Sequence, residues 1–243
     1  MEQVRVDWHI HTTLSPCGSL LMDPLTILQK AQEMDLQVIG ITDHNSTRQG
    51  RRIKSDFPES SLMILTGAEV TTREEIHCLA FFDDNIALDE FQTYLDFHLP
   101  FIPNDTDYFG DQVVVNSKGR IVYQENRLLI SALDQSLEEV AEFVTSRGGI
   151  FIPAHINRPC FSLLSQIGFI PDNLKADALE WVPGGKLASE FSDVAGISTF
   201  PVVYSSDAHV PEAIGTRYTL LEISERSFIG IKKGIAGIIN ADT

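Results

Sequence analysis

Cysteine is scarce in this chain of 243 residues. Cys17, Cys78 and Cys160 are too few and too scattered for a disulfide framework. No apolar stretch approaches the roughly 18 residues that a membrane-spanning helix needs, so no membrane contact is expected. The start, Met1 to Asp7, lacks a basic segment followed by an apolar run, so no signal peptide is read and a cytoplasmic protein is expected. Basic side chains are also in short supply, 18 Lys and Arg against 34 Asp and Glu, for a formal charge of −16. A surface of that sign repels long polyanions, which makes long nucleic acid and anionic membranes unexpected partners. A small phosphorylated substrate stays open, because bound cations reverse the field locally. Disorder is excluded by the balance of 43% hydrophobic and 21% charged residues, which suffices for a sizeable core. The sequence sets no oligomeric state.

What is present is an alternation of short β-branched runs with amphipathic stretches, the signature of βα units. Strands are expected at Val4 to Ile10, Val38 to Thr42, Leu62 to Val70, Ile76 to Phe82 and Ile150 to Ala154. Later ones are expected at Ala178 to Trp181, Pro201 to Ser205 and Thr219 to Ile223. Helices are expected at Pro24 to Met34, with Asp23 as N-cap, at Ser46 to Ser55 and at Leu88 to Phe97. Two more are expected at Leu137 to Ser146, closed by Gly148-Gly149, and near Ser227 to Ile239. The stretch 99–130 breaks the rhythm and carries a hairpin signal, Val113 to Val115 and Arg120 to Tyr123 across Asn116-Ser117-Lys118-Gly119. The expectation is one α/β domain over 1–243, a barrel decorated by an insertion at 99–130. With Tyr108, Phe109 and Tyr123, that insertion could serve as a lid, a specificity element or a dimer contact.

The polar residues that carry chemistry gather at predicted strand ends. His9 and His11 close the first strand on one face, since alternate side chains share a side. Asp43-His44 closes the second and Glu69 the third. His155 follows Ile150-Phe151-Ile152-Pro153-Ala154, and Asp207-Ala208-His209 follows a late strand. His77 fits less well, because it enters its strand rather than leaving it. In a parallel α/β barrel the C-terminal strand ends meet at one rim, so these residues should converge. Six of the seven histidines lie in this set, and only His98 lies outside it. Each piece has a bland reading: a turn and cap for Asp43-His44, a satisfied core side chain for a lone His77 or His155, a solvated Glu69. Together they form an imidazole and carboxylate set suited to zinc, manganese or iron, and too large for one ion.

The motifs His9-Ile10-His11, Ile41-Thr42-Asp43-His44, Gly67-Ala68-Glu69, His77, Pro153-Ala154-His155 and Ser205-Ser206-Asp207-Ala208-His209 resemble the PHP (polymerase and histidinol phosphatase) family. They span residues 4 to 209 in family order. The resemblance implies a distorted seven-stranded (βα) TIM-like barrel and two or three divalent ions that hydrolyse phosphoesters. It implies that His9, His11, Glu69 and Asp207 surround one ion and that Glu69, His77 and His155 hold a second. His44 and His209 would hold a third with a ligand from the loop after the first strand. Asp43 would bind that ion indirectly or orient a neighbouring ligand. Many relatives carry Ser-Asp-Gly in that loop, whereas this chain reads Ser15-Pro16-Cys17-Gly18. Cys17 is the candidate ligand there, and a small packed thiol is its bland alternative.

Clustered divalent ions supply hydroxide at neutral pH and neutralise a phosphoryl group. Asp207, His209 and Arg158 are the candidates for the chemical step, with Arg158 as phosphate clamp because guanidinium binds phosphate bidentately. Arg48 and Arg217 are weaker clamps. Asp7 is the candidate outer hydrogen-bond partner of His9. The expected activity is hydrolysis of a small phosphate ester or nucleotide through a metal-activated hydroxide. One competitor is a non-catalytic or regulatory PHP module, which loss of ligands would mark. The other is a metal-dependent amidohydrolase, which a lysine ligand would mark; neither mark is present.

Overall fold

The computed structural model describes residues 1–184 and 196–238. Its first half alternates β1 (Glu2–Ile10), α1 (Pro24–Glu33), β2 (Val38–Ile41), α2 (Arg48–Asp56), β3 (Met63–Thr71), β4 (His77–Phe82) and α3 (Asn85–His98). Then come α4 (Thr106–Phe109), β5 (Val113–Val115), β6 (Ile121–Gln124), α5 (Leu137–Ser146), β7 (Ile150–Pro153) and α6 (Leu163–Gln166). The last part holds β8 (Leu179–Glu180), β9 (Val202–Val203), β10 (Thr219–Ile223) and α7 (Phe228–Gly237). The expected last helix therefore forms, and its final residue, Ile239, lies outside the described residues. Among the described residues no helix is long and apolar enough to cross a membrane.

One curled six-stranded sheet, in the order β10-β1-β2-β3-β4-β7, forms the centre. Strands β2 and β7 are buried along their whole length. That explains why they read as unbroken apolar runs rather than as alternating patterns. Trp8, Phe81, Ile150, Ile152 and Phe228 pack on one side of the sheet. Ile27, Leu28 and Ala31 of α1 cover Ile39 and Ile41. Asp23 caps α1 by accepting from the amides of Leu25 and Thr26 at 3.0 and 3.3 Å. Two glycines permit close approach of neighbouring strands. A Cβ on Gly40 would stand 2.3 Å from the Trp8 carbonyl oxygen, and one on Gly67 2.0 Å from that of Ala80.

The strand directions differ from the expected closed, seven-stranded βα barrel. β1, β2 and β3 run parallel. β4 is antiparallel to both β3 and β7, and β10 is antiparallel to β1. β8 and β9 pair in parallel as a separate two-stranded unit. The cause is the connections: Thr72 to Ile76 is a tight turn, too short for the helical crossover that a parallel neighbour requires. The sheet is thus mixed.

β5 and β6 pair antiparallel across 116–120. Two contacts fasten β5 to the body. Val113 exchanges hydrogen bonds with Thr13 at 3.0 and 2.9 Å, and Val115 with the Gln49 side chain at 2.7 and 3.0 Å. The segment after α3 therefore lies against the loop that leaves β1.

Candidate metal centre

The C-terminal ends of β1, β2, β3 and β7 open on one rim, and there the sequence-distant residues meet. His9 and His11 leave β1 buried, and Glu69 stands buried near the end of β3. His44, three residues beyond β2, bridges to Glu69 through the backbone. His77 opens β4, opposite Thr71 in the β3–β4 register. Because β4 runs backwards, its first residue sits at the rim where its neighbours end. The awkward position of His77 in the sequence is thus explained by strand direction. His155 follows β7, and Asp207 is drawn in because Ala208 bridges to Ile10 at the end of β1.

Glu69 is the hub. Its Oε1 lies 2.9 Å from His77 Nδ1, 3.1 Å from His155 Nε2 and 3.2 Å from His9 Nε2. Its Oε2 lies 3.1 Å from His44 Nδ1 and 3.3 Å from His11 Nε2. Asp207 Oδ1 is 3.3 and 3.4 Å from the Nε2 atoms of His9 and His11. Three donor sets have ligand atoms within 4.8 Å of one another: His9, His11 and Glu69; His44, Glu69 and His77; and His11, Cys17, His44 and His209. Cys17 sits at the mouth on the loop after β1.

The electrostatics ask for positive charge between these atoms. His9 Nε2 and His11 Nε2 stand only 3.1 Å apart, so two lone pairs would face each other unless a proton or a cation lies between them. Burial alone would lower His9, yet the carboxylates of Asp207, Glu69 and Glu180 hold it well above the ordinary imidazole value. Burial likewise opposes charging of His11, and the close carboxylates of Asp207 and Glu69 lift it to about 9. Burial penalises the charge of Glu69 too, but the surrounding imidazoles keep it well below the usual carboxylate range. His44 Nδ1, His155 Nδ1 and Asp207 Oδ1 are buried with no hydrogen bond among the described residues, His44 because its contact with Glu69 is badly angled. Orphaned polar atoms of this kind are costly. The donor set fits divalent cations.

Backbone strain marks the same place. His155 at φ 32°, Asp207 at φ 52° and Asn45 at φ 45°, next to His44, all adopt left-handed conformations. Such residues cost about 1–3 kcal/mol each and persist where the surroundings enforce them. Asn45 is held by its side-chain amide, which donates to the carbonyls of Leu129 and Ser131 at 2.8 and 2.9 Å.

Other candidates fall around this core. Asp43 is in none of the three donor sets. Its oxygens accept from the Thr12 amide and hydroxyl at 2.8 and 2.7 Å and from the Ser15 hydroxyl at 2.7 Å. Ser15 Oγ in turn lies 2.9 Å from His11 Nδ1, so Asp43 steadies His11 from behind. Arg158 reaches Asp207 Oδ2 at 2.5 Å from the rim. His209 is part-buried at the mouth, its Nδ1 3.0 Å from the Asp207 carbonyl oxygen. Arg48 is committed to Asp96 at 2.7 Å and lies over the Tyr123 ring. His98 pairs with Asp134 away from the rim.

Two expectations about partners of His9 change. Asp7 does not meet the His9 ring. It accepts from the Ser206 amide and hydroxyl and from the Gly215 amide, tying β1 to the Asp207 loop, and burial lifts its pKa to about 6. The carboxylate at the ring is Glu180, the last residue of β8, 3.2 Å from His9 Nδ1. The rule used for Glu69, an acidic residue at the end of a strand, would have found it within Ala178 to Trp181.

A sequence-family model described as PHP-associated matches residues 192–235. The uncharacterized protein MJ1587 of Methanocaldococcus jannaschii is 32% identical over 79 residues, covering 29% of this chain and 46% of that protein. The lesion-specific endonuclease PfuEndoQ of Pyrococcus furiosus shares the fold at TM-score 0.74 and 22% identity, over 98% of this chain and 56% of its own. A second Endonuclease Q structure, at TM-score 0.73 and 20% identity over 98% of this chain and 57% of its own, holds a 27-mer duplex with an abasic lesion at the active site. A protein of Bifidobacterium adolescentis, provisionally described as a metal-dependent phosphoesterase, matches at TM-score 0.57 and 18% identity over 97% of this chain and 95% of its own. This chain spans about half the length of MJ1587 and of Endonuclease Q. The duplex complex overturns the expectation that long nucleic acid is an unlikely partner, since a protein of this fold takes duplex DNA at its active site. Net charge misled because it averages over the whole surface and says nothing of the field at one metal-lined mouth. The PHP-associated match and the shared fold bear out the resemblance to the PHP family that the motifs carry.

Proposed function

We propose that the chain is a metal-dependent phosphoesterase that holds two or three divalent ions and hydrolyses a phosphate ester. The observation that carries this reading is Glu69, a single buried carboxylate within 3.3 Å of five imidazole nitrogens. His9, His11, Glu69 and Asp207 would hold one ion. Glu69, His77 and His155 would hold another, and Cys17, His44 and His209 a third. A thiolate in the last set favours zinc or iron over manganese or magnesium. Bound there, divalent ions lower the pKa of water toward neutrality and neutralise charge on a phosphoryl group.

The protein's own groups supply the rest. Asp207 and Arg158 form a pair at the mouth, and the outward donors of Arg158 suit phosphate oxygens. His209 stands beside them, part-exposed, where it would face the substrate. Residues 99–130 we read as an insertion in one domain spanning 1–243. Gly110 in it packs against the Pro16 carbonyl beside Cys17, and Tyr108 is 80% exposed, which suits a wall that selects the ester. The likeness to Endonuclease Q adds the phosphodiesters of duplex DNA to small phosphate esters and nucleotides as substrates to test. The test loads purified protein with zinc, manganese or iron and offers an aryl phosphate, a nucleotide panel and a duplex with an abasic site. Metal-dependent release of product from at least one is expected. Inactivity on all of them with a full metal complement would leave a non-catalytic module, and turnover of amides instead would make it an amidohydrolase.

A further inference from the structure

We infer that Glu180 is a positioning residue that sets the tautomer and direction of the His9 imidazole. The inference rests on the metal reading above. Glu180 is buried, and among the described residues neither of its oxygens meets a lysine or an arginine. One oxygen, Oε2, serves two candidate ligands from different strands. It lies 3.2 Å from His9 Nδ1 and accepts from the His155 backbone amide at 2.7 Å. Oε1 adds a longer contact to His9 Nδ1 at 3.4 Å.

A carboxylate beside Nδ1 demands that Nδ1 carry the proton. The other ring nitrogen, Nε2, is then the one that would give its lone pair to an ion, and it points at Glu69 and Asp207. The same carboxylate also makes the imidazole a stronger electron donor, as outer partners of metal-bound histidines do. Its hold on the His155 amide fixes a residue at φ 32° whose ring stacks on His9 with centroids 5.8 Å apart. Glu180 thus sets the spacing of two rings on either side of Glu69. On the opposite flank, Asp43 acts on His11 through Ser15, so each histidine of the His9-x-His11 pair has its own outer carboxylate.

A purely architectural Glu180 would need only a hydrogen-bond acceptor, which separates the roles by experiment. Zinc affinities of wild type, Glu180→Gln and Glu180→Ala are measured by chelator competition. Imidazole nitrogen–proton correlations are recorded on the zinc-loaded proteins, with thermal unfolding of the metal-free forms alongside. Expected for Glu180→Ala is a roughly 10–100-fold weaker hold on the ion at His9, a smaller loss at the ion of His155, and none at the set of Cys17, His44 and His209. Glu180→Gln, an acceptor without charge, falls between. Wild type shows His9 protonated at Nδ1 and bare at Nε2, and that signature is lost in Glu180→Ala. Wild-type affinity for every ion in Glu180→Ala would overturn the role of Glu180 alone. Equal weakening at all ions together with a lower unfolding temperature would also overturn it, as a merely architectural effect. Wild type that takes up no ion would sink the metal reading and this inference together.

Discussion

Replacing Glu69 by Gln is the perturbation whose outcome the geometry specifies most closely. The amide has nearly the shape of the carboxylate, so packing against the buried walls of β3 survives while the charge goes. Glu69 takes part in two of the three donor sets and is absent from the one formed by His11, Cys17, His44 and His209. The variant should therefore lose two ions and keep the third. The size of the effect has a floor: changing an outer partner alone weakens metal binding about 10–100-fold. Loss of a direct ligand should exceed the upper end, at least about 3 kcal/mol per ion at about 1.4 kcal/mol per tenfold. The assay is elemental analysis after dialysis against zinc buffered by a chelator, repeated across free-zinc concentrations. A variant that retains the full complement at wild-type affinity would refute the hub role of Glu69. One that loses every ion equally, including the set with Cys17, would refute the division into separate sets.

Arg158→Ala should raise KM by roughly 10–100-fold, the value of about 1.5–3 kcal/mol for a hydrogen bond to a charged group, with metal content unchanged. Unaltered kinetics would remove Arg158 from the substrate site. The metal-free protein should be most stable in a window at about pH 6.5, because burial holds His44, His155 and His209 below the ordinary imidazole value and they cost stability as pH falls through it. His11, lifted to about 9 by its carboxylate neighbours against the penalty of burial, contributes stability that is complete below its unfolded value and fades as pH rises through 9. Glu69 and Asp207, depressed despite burial by the imidazoles around them, contribute stability above their unfolded values that is lost in acid. Thermal unfolding in chelator across that range checks the window, and a flat profile would contradict it. Metal affinity should climb with pH up to about 9, tenfold per unit for each proton displaced, because the ion must drive the proton from His11.

Much of this architecture was legible because local chemistry dictates it. The cap of Asp23, the fully buried run of β7 and the helix from Leu137 with its Ser136–Glu139 capping box all follow from short-range patterns. Strand direction did not follow, since a period of two is the same in both senses. That is why β4 was expected to be parallel and why His77 looked misplaced. Glu180 escaped notice because, although it lies in the expected strand Ala178 to Trp181, no histidine stands beside it to mark a motif. Asp7, adjacent to His9 in sequence, was the natural candidate for its partner. Yet the β1–β2 register shifts between Asp7 and Ile10, which breaks the alternation between Asp7 and His9, and the oxygens of Asp7 are claimed by Ser206 and Gly215. A residue 171 positions away reaches the ring instead.

The most direct test of the whole reading is anomalous diffraction from crystals of the protein grown with zinc, manganese or iron. The expected map shows peaks against Glu69, between it and the rings of His9, His11, His77 and His155, with a further peak beside Cys17, His44 and His209. A map with no peak at the rim, or with ions bound only at surface carboxylates elsewhere, would contradict the claim that these residues form a metal centre.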